Sequence, residues 1–210
     1  MSAVTELSEL ELSRWAFEGP VLTPRLWSDL NLPRPAAVRF NVGEPLVGGG
    51  RQKPGDIDVL VCAPHQPDQA VAFECKRVKI KAEAFETLQV GKLAGLADST
   101  HQVGGLHGIG FSRCFLLVFV AADGRERSQF NFAGRGPTAA LVRCVDDAIC
   151  GLTIHPDIGV VSVELVQPTA RGFEDAGGAG IRVLRSASGQ RQPPGLTKRV
   201  EEYLRGGNPE

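Results

Sequence analysis

Four charged residues between positions 54 and 81 have the types and spacing that catalytic chemistry requires. Asp56 and Asp58 are two positions apart on one predicted strand, and Glu74 and Lys76 are two positions apart on the next. Because side chains alternate between the faces of a strand, the members of each pair share a face. If the two strands pair, one carboxylate from each strand converges at one end of the sheet.

Carboxylates brought this close repel one another unless a proton or a cation lies between them. At ~4 Å and an effective dielectric constant near 20, the repulsion costs about 4 kcal/mol. Hard oxygen ligands without a nearby set of His or Cys favour Mg²⁺ or Mn²⁺. Such an ion polarises a phosphoryl oxygen and lowers the pKa of water, and Lys76 would orient that water or stabilise the developing charge. The pattern indicates metal-dependent chemistry on a phosphate ester.

The two strand sequences also resemble a known family. Gly55–Leu60 (GDIDVL) followed by Phe73–Lys76 (FECK) resembles the PD-(D/E)xK nuclease superfamily, in its restriction-endonuclease-like and Holliday-junction-resolvase-like branch. The resemblance covers the two strands closely and the order of elements, α-β-β-β-α-β, loosely. It implies a Mg²⁺- or Mn²⁺-dependent nuclease with a restriction-endonuclease-like fold, for which DNA is the favoured substrate and endonucleolytic cutting is expected.

The resemblance also implies a role for each residue of the motif. Asp58 and Glu74 match the two metal-binding acids of the family, and the carbonyl group of Cys75 adds a third metal ligand. Lys76 matches the catalytic lysine. Asp56 stands where many relatives carry a second acid.

Two further positions of the family's site stay open. Many members take another acid from the first helix, and here Glu9, Glu11 and Glu18 compete for that role. Some members use a Gln on the helix after the lysine. Gln89 is placed for that, although Leu93 stands where that branch carries a Tyr.

The basic residues that follow the motif have two interpretations. Lys76 is followed by Arg77, Lys79 and Lys81, which we interpret as a surface that contacts the phosphate backbone of a nucleic acid. The alternative is a solvated strand end. With 23 Lys and Arg against 24 Asp and Glu, the net charge is −1. Any nucleic-acid contact is therefore expected to be local.

The remaining sequence predicts the elements that position these residues. Apolar spacing and the placement of Gly and Pro indicate helices, strands and a glycine-rich loop. This order predicts an α/β fold with a mixed central sheet flanked by helices. The predicted helices are 5–18 with Thr5 as N-cap, 81–97 and 137–150; the strands are 37–42, 56–62, 70–75, 114–122 and 160–166; the loop is 101–110.

The 210 residues suit one domain with an appendage. We expect a nuclease-like domain at 1–167 and a Gly-, Pro- and Arg-rich C-terminal extension at 168–210 with a short helix near 197–204. No secretory signal and no apolar run of membrane-spanning length is visible. We therefore expect no membrane partner. The five cysteines form no CxxC pair, which predicts a reduced, cytoplasmic protein with neither a disulfide framework nor a structural zinc site.

Three functions are compatible with these features. The first is a metal-dependent nuclease acting on DNA, for which the family implies a homodimer because cutting two strands needs two sites. The second is a catalytically dormant nuclease-like module that binds DNA or a partner protein in a defence or repair complex. The third is a structural α/β domain, which predicts no salt-dependent DNA binding.

Overall fold

The architecture is a mixed β-sheet between two layers of helices, in a computed structural model that describes residues 4–44, 46–47, 55–80, 90, 93, 95–123, 139–167 and 178–206. Its strands are β1 (Ala37–Val42), β2 (Ile57–Cys62), β3 (Val71–Ile80), β4 (Arg113–Asp123), β5 (Gly159–Gln167) and β6 (Gly178–Arg185). Its α-helices are α1 (Glu9–Glu18), α2 (Thr23–Asp29), α3 (Leu96–Ile109), α4 (Ala139–Cys150) and α5 (Pro194–Arg205). The predicted α/β class with a helix-flanked mixed sheet is confirmed.

The strands lie in the sheet in the order in which they occur along the chain. β1, β2 and β3 form an antiparallel meander, β3, β4 and β5 run parallel, and β6 returns antiparallel to β5. β4 is the most apolar segment of the chain and lies near the middle of the sheet. Its side chains are buried on both faces, as is usual for parallel strands covered by helices.

Each face of the sheet has its own apolar core. On one face, α1 and α2 pack through side chains such as Leu12 and Trp27 against Phe73 of β3. On the other face, α3, α4 and α5 pack through residues such as Val103 and Val145. Among the residues that the structure describes, no helix has the length and apolar character needed to cross a membrane.

The start of α1 differs from the predicted one. Ser8 is the N-cap, so the prediction of Thr5 was wrong. The Ser8 Oγ accepts a hydrogen bond from the backbone N–H of Glu11 (3.2 Å), and the Glu11 carboxylate accepts one from the backbone N–H of Ser8 (2.7 Å). This reciprocal capping box satisfies two N–H groups at once. It fixes the start of the helix after Ser8, three residues later than Thr5. The predicted end of the helix at Gly19 is confirmed.

The predicted glycine-rich loop at 101–110 was wrong, because α3 runs through it to Ile109. Leu96, Val103 and Leu106 are buried on one side of this helix against the sheet. Their burial outweighs the intrinsic cost of glycine in a helix, about 1 kcal/mol per residue. The predicted helix at 81–97 falls mostly outside the described residues.

The segment expected as a C-terminal extension contributes to the same sheet and the same cores. β6, which was not predicted from the sequence, pairs with β5 along its length, and its Ile181 is buried beneath α1 and α2. The expected terminal helix is present as α5, and its Leu196 and Val200 are buried in the other core. The alternation of apolar residues in β6 was obscured by the glycines around it.

Candidate active site

The predicted acids lie where β2 and β3 diverge. Backbone pairing between the two strands ends at Val59 and Phe73, whereas β3 continues along β4 to its last residue. Asp58 immediately precedes Val59 in β2. Its Oδ2 accepts a hydrogen bond of 2.6 Å from the backbone N–H of Cys75. A carboxylate therefore binds the β3 backbone where the strand ladder stops. The place where backbone pairing between β2 and β3 is missing, next to Asp58 and Glu74, is called the gap.

The side chains of Glu74 and Lys76 are in contact at this gap. The Glu74 side chain is 1% exposed, and its Oε1 lies 2.8 Å from the Nζ of Lys76, whose side chain is 27% exposed. The second oxygen of Glu74, Oε2, is buried and receives no hydrogen bond from any described residue. A buried acceptor without a donor is costly, so this oxygen is available to a proton or a cation.

Glu9 supplies a third carboxylate from the first turn of α1. Its Oε2 is also buried and lacks a hydrogen-bond partner among the described residues. Its negative charge contributes to raising the pKa of Asp58, Glu74 and Lys76, which places it within electrostatic reach of all three. The helix therefore brings an acid within electrostatic reach of the same gap.

The other two candidates on α1 lie elsewhere. The Glu11 carboxylate is exposed and engaged in the capping box, where its hydrogen bonds to Ser8 lower its pKa. Glu18 is exposed at the opposite end of the helix, roughly 13 Å from Glu9 along the axis. Of the three acids left open by the sequence, the structure brings only Glu9 to the gap.

Burial and like charge perturb the acids strongly. Burial, followed by the charge of Asp58, raises the pKa of Glu74 to about 8. Burial also raises the pKa of Asp58, against the opposing effects of the Cys75 N–H and Lys76. In the absence of a metal ion, the two acids therefore retain a proton at neutral pH, and that proton is favoured on Glu74.

Lys76 keeps its positive charge. Burial by itself lowers the pKa of this amine, but the hydrogen bond and charge of Glu74, together with the other acids, outweigh burial and raise the pKa. An amine with a raised pKa is a poor general base at neutral pH. It suits the stabilisation of negative charge and the orientation of a water molecule.

The oxygens around the gap are of the chemical type that a hard divalent cation prefers, although the ligand atoms of Asp58, Glu74 and Glu9 do not form a close three-residue group among the described residues. Asp58 and Glu74 offer carboxylate oxygens, and Glu9 adds a buried oxygen without a partner among the described residues. The N–H and C=O groups of a strand residue project to the same edge, so the Cys75 carbonyl faces the side on which its N–H meets Asp58. A donor set made of oxygens is the one that Mg²⁺ and Mn²⁺ prefer.

Comparison with known proteins assigns no family to this chain. No family model matches the chain, and no curated protein matches it significantly. The chemistry of the site therefore rests on its own residues.

Two other predicted residues lie apart from the acids. Asp56 is exposed, and its carboxylate lies beside Gly43, just after β1. Arg77 donates a hydrogen bond to the carbonyl oxygen of Leu7, so it holds the entry to α1 against β3. To contact a phosphate backbone as predicted, the Arg77 guanidinium would have to share or give up its hydrogen bond to Leu7.

The remaining predicted residues are two lysines of the basic segment, Gln89 and Cys75. Lys79 lies half-buried on β3 beyond the gap. Lys81 and Gln89 fall outside the described residues. The Cys75 thiol is buried and burial raises its pKa well above the usual range. Cys75 therefore serves the site through its backbone.

One sequence signal would have selected Glu9. The spacing Ser8-x-x-Glu11 is that of a capping box, which makes Ser8 the N-cap and engages the Glu11 carboxylate. Glu9 then becomes the acid of the first turn that remains available for the site. A helix start at Thr5 conceals this signal.

Proposed function

We propose that this protein is a Mg²⁺- or Mn²⁺-dependent nuclease with a restriction-endonuclease-like fold, and that DNA is its substrate. The observation that carries the proposal is the convergence of Asp58, Glu74 and Lys76 where β2 and β3 diverge. Three features support it further: Glu9 arrives from α1, Glu74 is almost fully buried, and two carboxylate oxygens lack partners among the described residues.

In the proposed reaction, the acids would bind the metal ion and the lysine would act on the water and the phosphate. Asp58, Glu74 and the Cys75 carbonyl would hold the ion, with Glu9 close enough to add to its attraction. A bound ion would polarise the phosphoryl group and lower the pKa of the attacking water. Lys76, held protonated by its acidic neighbours, would orient that water and stabilise the negative charge that develops on the phosphate oxygens.

One observation favours the dormant module, in its protein-binding form, as a second candidate. Arg77, which was expected to contact nucleic acid, binds the carbonyl of Leu7 instead. The basic surface beside the acids is smaller by one guanidinium for that reason. The dormant module would bind DNA, or a partner protein from a defence or repair complex, without cleavage, and the smaller basic surface favours the partner protein.

A cleavage assay with matched variants tests the proposal. Purified protein is incubated with circular and linear double-stranded DNA, single-stranded DNA and RNA, with Mn²⁺ or Mg²⁺ and with EDTA. We expect metal-dependent loss of the circles, since the proposed cut is endonucleolytic. Asp58→Asn and Lys76→Ala should each lower the rate by about 10²-fold or more.

Asp56→Asn is the matched control, since it removes an exposed carboxylate two positions from Asp58. It should cut like the unmodified protein. Normal turnover by Asp58→Asn or Lys76→Ala would overturn the assignment of the site. Salt-dependent DNA binding that needs no metal and leads to no cleavage on any substrate would favour the dormant module. Nicked circles without linear product would speak against a dimer that cuts both strands.

A further inference from the structure

A second cluster of potential ligands lies at the end of α3, apart from the carboxylates of the proposed active site. His107 belongs to the last turn of α3, and His155 and Asp157 belong to the loop between α4 and β5. The two imidazole rings stack with their centroids 4.4 Å apart. One ligand atom from each of the three residues lies within 4.8 Å of the others.

We propose that His107, His155 and Asp157 form a surface site for Zn²⁺ or a chemically similar transition-metal ion. Two imidazole nitrogens and one carboxylate oxygen are a donor set that zinc commonly takes in proteins. Imidazole favours zinc, copper and nickel, whereas carboxylate and carbonyl oxygens favour magnesium and manganese. The two sites of this protein would thus select different classes of ion.

The nitrogen Nε2 of His107 supports the proposal. It is buried, and no hydrogen-bond partner for it exists among the described residues. A buried polar atom without a partner costs free energy. A cation bound to this nitrogen would satisfy it.

The backbone around the three residues is already held in place. The backbone N–H of Asp157 donates to Nδ1 of His155 (3.3 Å), and the carbonyl of Asp157 accepts from the N–H of Ser188 (3.0 Å). The side chain of Gln190 donates to the carbonyl of His107 (3.0 Å). Ligands on a fixed backbone lose less conformational entropy when they bind an ion.

The side chains must rotate to complete the site, because an imidazole nitrogen binds a metal ion in the plane of its ring and the two rings are stacked. Zinc bonds to nitrogen and oxygen measure roughly 2.0 to 2.2 Å, so the ligand atoms must approach one another more closely than they do here. The side chains of His155 and Asp157 are 50% and 47% exposed, so they can turn towards an ion without displacing the core. Their exposure also gives an ion a path from solvent, and three protein ligands leave a fourth position of a tetrahedral ion open.

Calorimetric titration of ZnCl₂ into the full chain, after removal of any histidine tag, tests the site. The titration is carried out in an Asp58→Asn background, so that the carboxylates of the other site contribute less. We expect saturation at one zinc ion per chain. His155→Ala and Asp157→Asn should each weaken binding at least tenfold, because loss of even an outer-shell partner costs about 10- to 100-fold.

His101→Ala is the matched control, since His101 is an exposed histidine on the same helix outside the cluster. It should bind zinc like its parent, and circular dichroism spectra should show that all variants are folded. Equal affinity in the parent and in His155→Ala would overturn the proposal. Absence of saturable zinc uptake by the folded parent would overturn it as well.

Discussion

Glu74 is the residue at which function and stability oppose each other most clearly. Its side chain is 1% exposed and lies within reach of Asp58 and Glu9, with Lys76 as the nearby cation. Burial of a carboxylate beside two other carboxylates is unfavourable in the absence of a proton or a metal ion. Strongly perturbed acids of this kind concentrate at functional sites, which agrees with the role proposed for Glu74.

The raised pKa of Glu74 predicts how stability depends on pH. The folded protein holds a proton on Glu74 up to about pH 8, whereas a free Glu loses it near 4.5. The stability gained from this proton is complete below pH 4.5 and is lost as the pH rises through 8. In EDTA, the wild type should therefore lose roughly 4 kcal/mol relative to Glu74→Gln between pH 5 and pH 9.

Urea unfolding of both proteins at several pH values measures this difference. Glu74→Gln should become the more stable protein at pH 9 while losing metal-dependent activity. Parallel pH profiles of the two proteins would show that Glu74 does not titrate as the buried acid described here.

At the scale of elements, the site depends on where the pairing of β2 with β3 stops and where α1 begins. Pairing of β2 with β3 begins at Val59, one residue after Asp58, and α1 begins at Glu9, directly after its cap Ser8. The side chains are close because the ends of these elements are close. Sequence periodicity defines the middle of an element better than its ends, which are decided by individual hydrogen bonds.

The glycines of α3 provide a test at this scale. Gly110 ends the helix with φ +101°, and a Cβ on it would lie 2.6 Å from Pro193. Gly108 lies within the helix, with open space around the position of its Cβ. Gly110→Ala should therefore destabilise the protein by about 1 to 3 kcal/mol, whereas Gly108→Ala should stabilise it by roughly 0.5 to 1 kcal/mol.

Urea denaturation of the two variants beside the wild type gives these free energies. The pair is informative because both substitutions add the same methyl group two residues apart. Shifts of the same sign for both variants would contradict the described end of α3.

At the scale of the whole molecule, the C-terminal segment completes the sheet and both cores. β6 covers the edge of β5, and α5 buries Leu196 and Val200 on the opposite side of the sheet from Ile181. A segment that fills two cores is part of the folding unit, although its glycines and prolines are typical of an extension.

Truncation after Gln167 tests this conclusion. The shortened chain should lose most of the roughly 5 to 15 kcal/mol that stabilises a domain and should show no cooperative thermal transition. A chain that ends at Gly206, directly after α5, is the control and should unfold like the full-length protein. A cooperative transition with an unchanged midpoint in the shorter chain would contradict the role assigned to β6 and α5.

The sequence by itself determined the local part of the site. Alternation along a strand puts Glu74 and Lys76 on one face, and a short connection makes β2 and β3 neighbours, so the spacing alone predicts that Asp58 lies near Glu74. The mixed sheet and its central strand followed from apolar patterns of the same short range. These features depend on residues close together in the chain, for which periodicity is a reliable guide.

Only the tertiary structure decided which distant residues join them. The choice of Glu9, the bond between Arg77 and Leu7, and the meeting of His107 with His155 all depend on how helices dock on the sheet. Docking is set by the packing of many apolar side chains at once, and no spacing between two residues encodes it. Contacts between residues so far apart along the chain are therefore decided by the folded protein as a whole.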